Sequence, residues 1–512
     1  MRPILKAGRN LWRTTHADQT KILVDAADYY RAFYAAAEHA QHYILVSGWQ
    51  FDRGVKLLRG THAVGRGKLV RLVKFLDNLC KRTPTLRIYM LAWDFHMVFA
   101  LEREWMQRLW FHYATNKRLI FRFDEAKASQ GCHHQKFAVI DGKESFLGGI
   151  DLCESRWDDR EHRTENPLRL TRGRPSKPYH DVQAQLTGRG PGAILRELFV
   201  DRWERSGGDP LVLTDPEVAL PPLTPLEPAP PESIVMGARP VAISRTDPRG
   251  KSETIKEIEH LFVDAIAAAD RLIFVETQYF SSTCVRNALI ARMKARHRPK
   301  LEIVVILNER AEALKEELAV GLRQAKNLVR LRRTAAATGH KIGFFYSLSA
   351  GAGKAQRATY IHSKLMAVDD RFLTVGSANL TNRSMEVDSE LHVSWEAEPD
   401  DAWLMRQIRR VRVSLLAEHG GFHGTSAVRC LVKVEGLVDC LTRLASDPNG
   451  RLRVIGPPTP AQQKAMGMVD PENLPFDPQR AEYVDGPAQT DDEDFTWAHE
   501  PSEEMPRLLR RR

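Results

Sequence analysis

The chain has 512 residues, of which 43% are hydrophobic and 27% charged, and a formal net charge of +10. That length predicts two or more domains and a sizeable core, and the composition is that of a soluble globular protein. The basic balance points either to anionic partners, whether phospholipid headgroups, nucleic acid or other phosphates, or to a generic solvated basic surface. Six scattered cysteines, at 80, 132, 153, 284, 430 and 440, form no CxxC and no cluster at zinc spacing. They exclude a structural zinc site and a disulfide framework and fit a reducing compartment. No segment reaches the ~18 consecutive apolar residues that a spanning helix needs, and the N-terminus has no continuous apolar core of signal-peptide length. The expected location is the cytoplasm or the surface of a membrane, with secretion only by a route independent of a signal peptide.

In chain order, a helix-like stretch at Asp25–Ala40 is followed by the strand-like runs "YILVSGWQF" (43–51) and "LRIYMLAW" (86–93). Next comes "HHQKFAVIDGKESFLGGID" (133–151), whose centre, Phe137 to Ile140, reads as a buried strand. Strand alternation sends His134 and Lys136 to one face and Asp141 to the other. Prolines at 210, 216, 221, 222, 225, 228, 230 and 231 then make 209–233 a semi-rigid extended linker. Beyond it the series recurs: a helix-like stretch at Glu253–Ala269, then "LIFVETQYF" (272–280), "LEIVVILN" (301–308) and "YIHSKLMAVDDRFLTVGSAN" (360–379). His134, Lys136, Asp141, Gly148 and Asp151 correspond to His362, Lys364, Asp369, Gly376 and Asn379, each pair 228 residues apart. The chain is an internal duplication. From about residue 457, proline, acidic residues and a closing "RRR" predict a poorly ordered tail.

The recurring order predicts an α/β fold. Two homologous halves, each a mixed sheet flanked by helices, pack about a pseudo-twofold axis into one bilobal catalytic unit. The boundaries are a first half at 1–208, a linker at 209–235, a second half at 236–421 and a C-terminal extension at 422–512. A single histidine and lysine at a strand end are more often a solvated rim than chemistry. Two copies with identical spacing reverse that expectation. Two imidazoles and two ammoniums around one pocket suit a phosphodiester: the lysines neutralise non-bridging oxygens, one histidine attacks phosphorus, and the other protonates the leaving alkoxide. No acidic cluster suited to magnesium or calcium is visible, so no metal or other cofactor is expected. Asp141 and Asp369, on the opposite face, are expected to hold local structure, or to be plain turn residues.

These motifs resemble the phospholipase D superfamily, with its duplicated HxKxxxxD, and most closely phospholipase D proper of the eukaryotic type. "HHQKFAVIDGKESFLGGIDLCESRWDD" (133–159), "PYHDV" (178–182), "VETQYF" (275–280), "YIHSKLMAVDDRFLTVGSANLTNRSMEVDSE" (360–390) and "RRVRVSLLAEHGG" (409–421) carry the resemblance, which runs from about residue 25 to 421. It implies that Asp181 orients one catalytic histidine and Glu390 the other, and that His134 is the nucleophile and His362 the general acid. Lys136, Lys364 and Asn379 complete the implied site. The stretch before residue 25 is too short for a C2, PX or PH module, so a catalytic core alone is expected.

The implied reaction converts phosphatidylcholine or phosphatidylethanolamine to phosphatidic acid and free headgroup, with transphosphatidylation where an alcohol competes. The alternatives are a cardiolipin-synthase-like phosphatidyltransferase and a phosphodiesterase on nucleic acid. Against the first stand the missing membrane spans and Asp151 where such enzymes usually carry asparagine. Against the second stands the lack of an interleaved basic–aromatic patch. The expected partner is a phospholipid at a membrane surface, and no oligomer is needed to complete the site. Trp49, Gln50 and Phe51, with Gln278, Tyr279 and Phe280, either line the pocket mouth or pack in the core.

Overall fold

The computed structural model describes residues 2–94, 115–124, 131–211, 213, 233–248, 254–310, 320–351, 356–422, 425–460, 462–464 and 477. Most of the predicted linker and nearly all of the predicted tail lie outside the described residues.

The first series of elements is β1 (Arg13–Val24), α1 (Asp25–Glu38), β2 (Tyr43–Gly48), α2 (Leu72–Arg82), β3 (Arg87–Trp93), β4 (Leu119–Asp124), β5 (Phe137–Ile140), β6 (Glu144–Gly148), β7 (Tyr179–His180), β8 (Val182–Thr187) and α3 (Arg189–Arg205). The second begins with β9 (Ile234–Asp247), α4 (Glu257–Ala268), β10 (Leu272–Glu276), α5 (Thr283–Lys294), β11 (Glu302–Ile306), α6 (Leu322–Thr338) and β12 (Lys341–Ser347). It continues with β13 (Tyr360–Ile361), β14 (Leu365–Val368), β15 (Phe372–Gly376), α7 (Asn382–Glu386), β16 (Glu390–Glu396) and α8 (Ala402–Gly420). Two further helices, α9 (Thr425–Val432) and α10 (Leu437–Leu444), lead to β17 (Leu452–Val454).

All the longer strands belong to one mixed sheet, in the order β17-β12-β11-β10-β14-β15-β16-β9-β1-β8-β6-β5-β2-β3-β4. β1 and β9 pair antiparallel at its centre. Read outward from them, each flank passes through antiparallel strands to three parallel ones, β2-β3-β4 at one edge and β10-β11-β12 on the other side, where β17 adds antiparallel outside β12. Those inner parallel strands are continuous apolar runs because helices cover both of their faces: YILVSG of β2 and LIFVE of β10 are buried throughout. One apolar cluster runs the length of one face under α3, α8 and α10. The other face carries two clusters, one under α1 and α2 and one under α4, α5 and α6. The expectation of α/β architecture with helices on both faces holds. The two sheets expected are one, continuous through β1 and β9.

The segment after residue 421 contributes to this fold. β17 adds to the sheet edge at β12, and α10 lies against the same edge strands. No described helix is long and apolar enough to cross a membrane.

Local signals set the element ends. Ser282 caps α5 by accepting from the Val285 amide, Asp401 caps α8 by accepting from Leu404, and Gly421 closes α8 at φ 66°. α8 is pinned by a buried ion pair: Arg412 Nε and Nη2 donate to the two Asp370 oxygens at 2.7 and 2.9 Å, and Nη1 donates to the Leu431 carbonyl. Replacing Arg412 by leucine leaves Asp370 short of a buried counter-charge and is expected to lower unfolding free energy by about 3 kcal/mol. Urea denaturation measures this, and Asp370→Leu in the same chain should recover most of the loss.

Candidate active site

The head of β5 and the head of β14 bring the two HxK segments to one place, and they do so by reciprocal strapping. The His134 amide donates to the Ser389 carbonyl at 2.9 Å, and the next residue, Glu390, accepts from His134 Nδ1 at 3.0 Å. In the mirror arrangement the His362 amide donates to the His180 carbonyl at 2.8 Å, and the next residue, Asp181, accepts from His362 Nδ1 at 2.6 Å. Each imidazole is thus held by the residue just after the one that receives its own backbone. β7 and β13 run parallel beside the second strap, Tyr179 opposite Tyr360 and His180 opposite Ile361.

The glycines after each aspartate make this approach possible. A Cβ on Gly148 would lie 2.6 Å from the Val182 carbonyl, and one on Gly376 would lie 2.2 Å from that of Leu391. At the following position the two copies differ for a stated reason. A side chain on Gly149 would meet Asp181 Oδ1 at 2.2 Å, whereas Ser377 stands beside the longer-reaching Glu390 and donates to its Oε2 at 2.5 Å.

Both lysines are buried. Lys136 Nζ lies 3.3 Å from Asp151 Oδ2 and donates to the His134 carbonyl. Lys364 Nζ donates to the His362 carbonyl and to Gln278 Oε1, which also accepts from Asn379 Nδ2 at 3.3 Å. The motif's one non-identity, Asp151 against Asn379, therefore sets a charged partner beside one lysine and neutral amides beside the other. Asp141 and Asp369 make no contact with this group among the described residues. Asp141 accepts the amides of Gln41, His42 and Tyr43, and Asp369 those of Asp270, Arg271 and Leu272. Both sit at positive φ, 49° and 56°, so each is at once a turn residue and the clamp of its turn to a neighbouring strand.

Of the aromatic stretches, Phe51 and Phe280 are core residues, Trp49 stacks on Trp93 at 5.8 Å, and Gln278 reaches Lys364. Arg156, Tyr179 and Tyr360 were not singled out in the sequence. Both tyrosine rings lie beside His362, and the Arg156 guanidinium lies over Tyr179 at 5.3 Å.

The electrostatics are those of a site crowded with positive charge. Burial, then Lys136 and Lys364, holds the His134 imidazole well below its ordinary value. Burial, then Lys364, Arg156, Lys136 and His134, does the same to His362, which shows the four motif groups acting on one another. Burial brings Lys364 down to about 7 despite Asp181. Burial and Asp388 push Glu390 up to about 8, and burial lifts Asp181 to about 6 against the pull of Lys364.

Directly behind this site lies a second buried group, spread too widely along the chain to be seen in the sequence. Asp25, His162, His180 and Glu418 each bring one ligand-type atom within 4.8 Å of the others. The outer nitrogens of the two histidines are held as well, His162 Nδ1 by Asp158 at 3.0 Å and His180 Nε2 by Glu276 at 3.0 Å. Two imidazoles, two carboxyl groups and carboxylates behind both rings could hold a divalent cation. The alternative occupants are protons, since Arg160 and Arg169 bond Glu418 and Asp158 and leave room for two imidazolium charges. Burial works against the charge on both rings, yet Asp25, Asp158 and Glu418 raise His162 to about 9, and Glu276 and Glu418 raise His180 well above its ordinary value.

Residues 262–412 match the family described as "Cardiolipin synthase, PLD-like domain". Phospholipase D alpha 3 of Arabidopsis thaliana is 25% identical over 543 aligned positions, which cover 80% of this chain and 65% of that protein. Phospholipase D A of Dictyostelium discoideum is 25% identical, over 72% of this chain and 32% of that protein. The chain thus spans just under two thirds of its plant relatives' length. The phosphatidylserine synthase of Haemophilus influenzae Rd KW20 shares the fold, with a TM-score of 0.52 at 16% identity over 80% of this chain and 89% of that one. Over most of its length the chain is similar to phospholipase D proteins of the eukaryotic-like type.

Protonation of the rear group should be visible in stability. His162 is raised from 6.5 to about 9 by folding, so its contribution is complete below pH 6.5 and is lost as pH rises through 9. The expected loss between pH 7 and pH 10 is on the order of 3 kcal/mol. Thermal unfolding across that range checks it, and the loss should shrink sharply in His162→Gln.

Proposed function

We propose that the protein is a phospholipase D that hydrolyses glycerophospholipid phosphodiesters through a phosphohistidine, with two halves, 1–208 and 236–421, related by a pseudo-twofold axis. One observation carries the reading. Both Nδ1 atoms are engaged by carboxyl groups, while Nε2 of His134 and of His362 has no partner among the described residues. A neutral imidazole pinned in that way offers the Nε2 lone pair needed for attack on phosphorus.

In the proposed reaction Lys136 and Lys364 bind the non-bridging oxygens and compensate their charge through the transition state. His134 Nε2 forms a bond to phosphorus as the bond to the headgroup oxygen breaks, and His362 Nε2 gives that oxygen its proton. Water then gives a proton to His362 and its oxygen to phosphorus, releasing phosphatidic acid and restoring both imidazoles. A primary alcohol can replace the water, which accounts for transphosphatidylation. The bound anion supplies the negative charge that the empty site lacks. It is expected to lift His362 toward the protonated form that the first step requires.

The titration order supports a second assignment of roles on the same site. The His134–Glu390 pair holds its extra proton to about pH 8 and the His362–Asp181 pair only to about 6. In the free enzyme near pH 7, that makes His134 the better acid and His362 the better nucleophile. Trapping the phosphoenzyme from labelled lipid and sequencing the labelled peptide decides between them. Either way, kcat/KM should rise through about pH 6 and fall through about pH 8.

The family description at 262–412 supports phosphatidyl transfer to a lipid alcohol as the alternative outcome. Labelled phosphatidylcholine and phosphatidylethanolamine, with EDTA and ethanol present, test the main reading. Phosphatidic acid with phosphatidylethanol is expected, and lipid transfer without hydrolysis would favour the alternative. His134→Ala and His362→Ala should each lower turnover at least ~1,000-fold, while Asp369→Asn, away from the phosphate, should be much milder.

A further inference from the structure

A second pocket opens beside the catalytic edge. Ser47 at the end of β2 pairs with Phe137 at the head of β5, so the loop that leaves β2 rises on the same edge as the histidines. This loop carries two turns of 3-10 helix, Gly60–Ala63 and Gly67–Val70, and a bridge between Lys56 and Arg71. Together with the segment around 167–173 it encloses a cavity of about 570 Å³. Lys56, Arg59, Lys68, Arg71 and Arg172 line the cavity, with Glu154 as its one acid.

Glu154 is taken already, since its Oε2 accepts the Arg172 amide at 2.6 Å. Arg59 is buried, bonds the Leu168 carbonyl, and lies over Trp157 at 4.5 Å, which fixes a guanidinium in the wall. Lys56, Lys68 and the Arg172 guanidinium make no ion pair with any described residue. Glu154 and Arg156 belong to one 3-10 turn: its first residue lines this pocket, and its last faces the aromatic wall beside His362.

The rim is apolar and projects. Val64 is 79% exposed, Leu69 39% and Leu168 38%, three of the six large apolar side chains exposed among the described residues. Gly65 and Gly67, both at positive φ, have nothing within 4 Å of where a side chain would stand, so the tip stands clear of the body. Unpaired cations in a cavity, ringed by protruding aliphatic groups, match an interface with anionic headgroups outside and acyl chains just beneath. Nucleic acid would match the cations and leave the aliphatic rim unexplained.

We infer that the 56–71 loop and the 167–173 segment form a docking face for an anionic phospholipid bilayer, with one lipid phosphate in the basic pocket and Val64 and Leu69 in the interface. Docked in this way, the bilayer meets the edge on which the catalytic histidines stand. The inference rests on the lipid reading of the active site, so binding and turnover are measured separately.

The test is co-sedimentation of the full chain with vesicles of phosphatidylcholine alone and of an equimolar mixture with phosphatidylglycerol, at about 0.05 and about 0.3 M salt. His134→Ala serves as the turnover-free background. The parent should bind the mixed vesicles far more tightly, and more weakly at high salt. Lys56→Glu with Lys68→Glu, and separately Val64→Asp with Leu69→Asp, should each weaken that binding by about tenfold or more. In chains with His134 intact, hydrolysis of a short-chain diester dissolved as monomers should be unchanged by these surface variants. Equal binding to both vesicle types, or undiminished binding by the variants, would overturn the docking face. So would tighter binding to short duplex DNA that the Val64/Leu69 change leaves intact. Vesicle binding that depends on the loop, found without any lipid turnover, would sustain the face and strike at the active-site reading alone.

Discussion

The bond between each histidine's Nδ1 and a carboxyl group brought from far along the chain is the constraint on which the site depends. His134 is bound to Glu390 and His362 to Asp181, and in each case the histidine's own amide is tied to the residue just before that acid. A side chain fixed at both its backbone and its ring has little rotational freedom left to lose when substrate arrives. The arrangement also makes neither strap independent of the other. β16, which carries Glu390, joins β9, and β8, which follows Asp181, joins β1, so the central β1–β9 pair connects both.

The burial that organises the site also charges it. Burial, helped by Lys136 and Lys364 and at His362 also by Arg156, keeps both rings neutral, and burial brings Lys364 down to about 7. Such a site is completed electrostatically by an anion, which is the property expected of a phosphodiester enzyme that draws its stabilisation from fixed charge. The rear group carries its own countercharges. Asp25, Asp158, Glu276 and Glu418 gather around His162 and His180, and Ser363, one residue past His362, donates to Glu276. The rear group thereby braces the active site through the backbone of residues 180 and 362.

Much of this was legible in the sequence because duplication turns one weak motif into a strong one. The pairs 134/362, 136/364 and 141/369 were visible as a constant spacing, and the alternation of a strand sufficed to send Asp141 away from the lysine. The partners of Asp141 and Asp369, three amides each, were not visible, since a cap to another strand leaves no local pattern. Glu390 and Asp181 were named through resemblance alone. The rear cluster escaped because its members stand at 25, 158, 162, 180, 276 and 418 and meet only when the strands at the sheet centre are in register. The segment 422–512 was set apart as a C-terminal extension because the resemblance ends at 421, yet Leu452–Val454 closes the sheet edge. Three residues are too short a strand to stand out in a sequence.

The most direct measurement is the proton NMR spectrum of the histidine ring N–H groups in the low-field region where imidazole–carboxylate bonds appear. The account predicts two such resonances, with Asp181→Asn removing or shifting only the one from His362 and Glu390→Gln only the one from His134. If both substitutions left both signals in place, or each moved the other histidine's signal, the reciprocal strapping described here would be wrong.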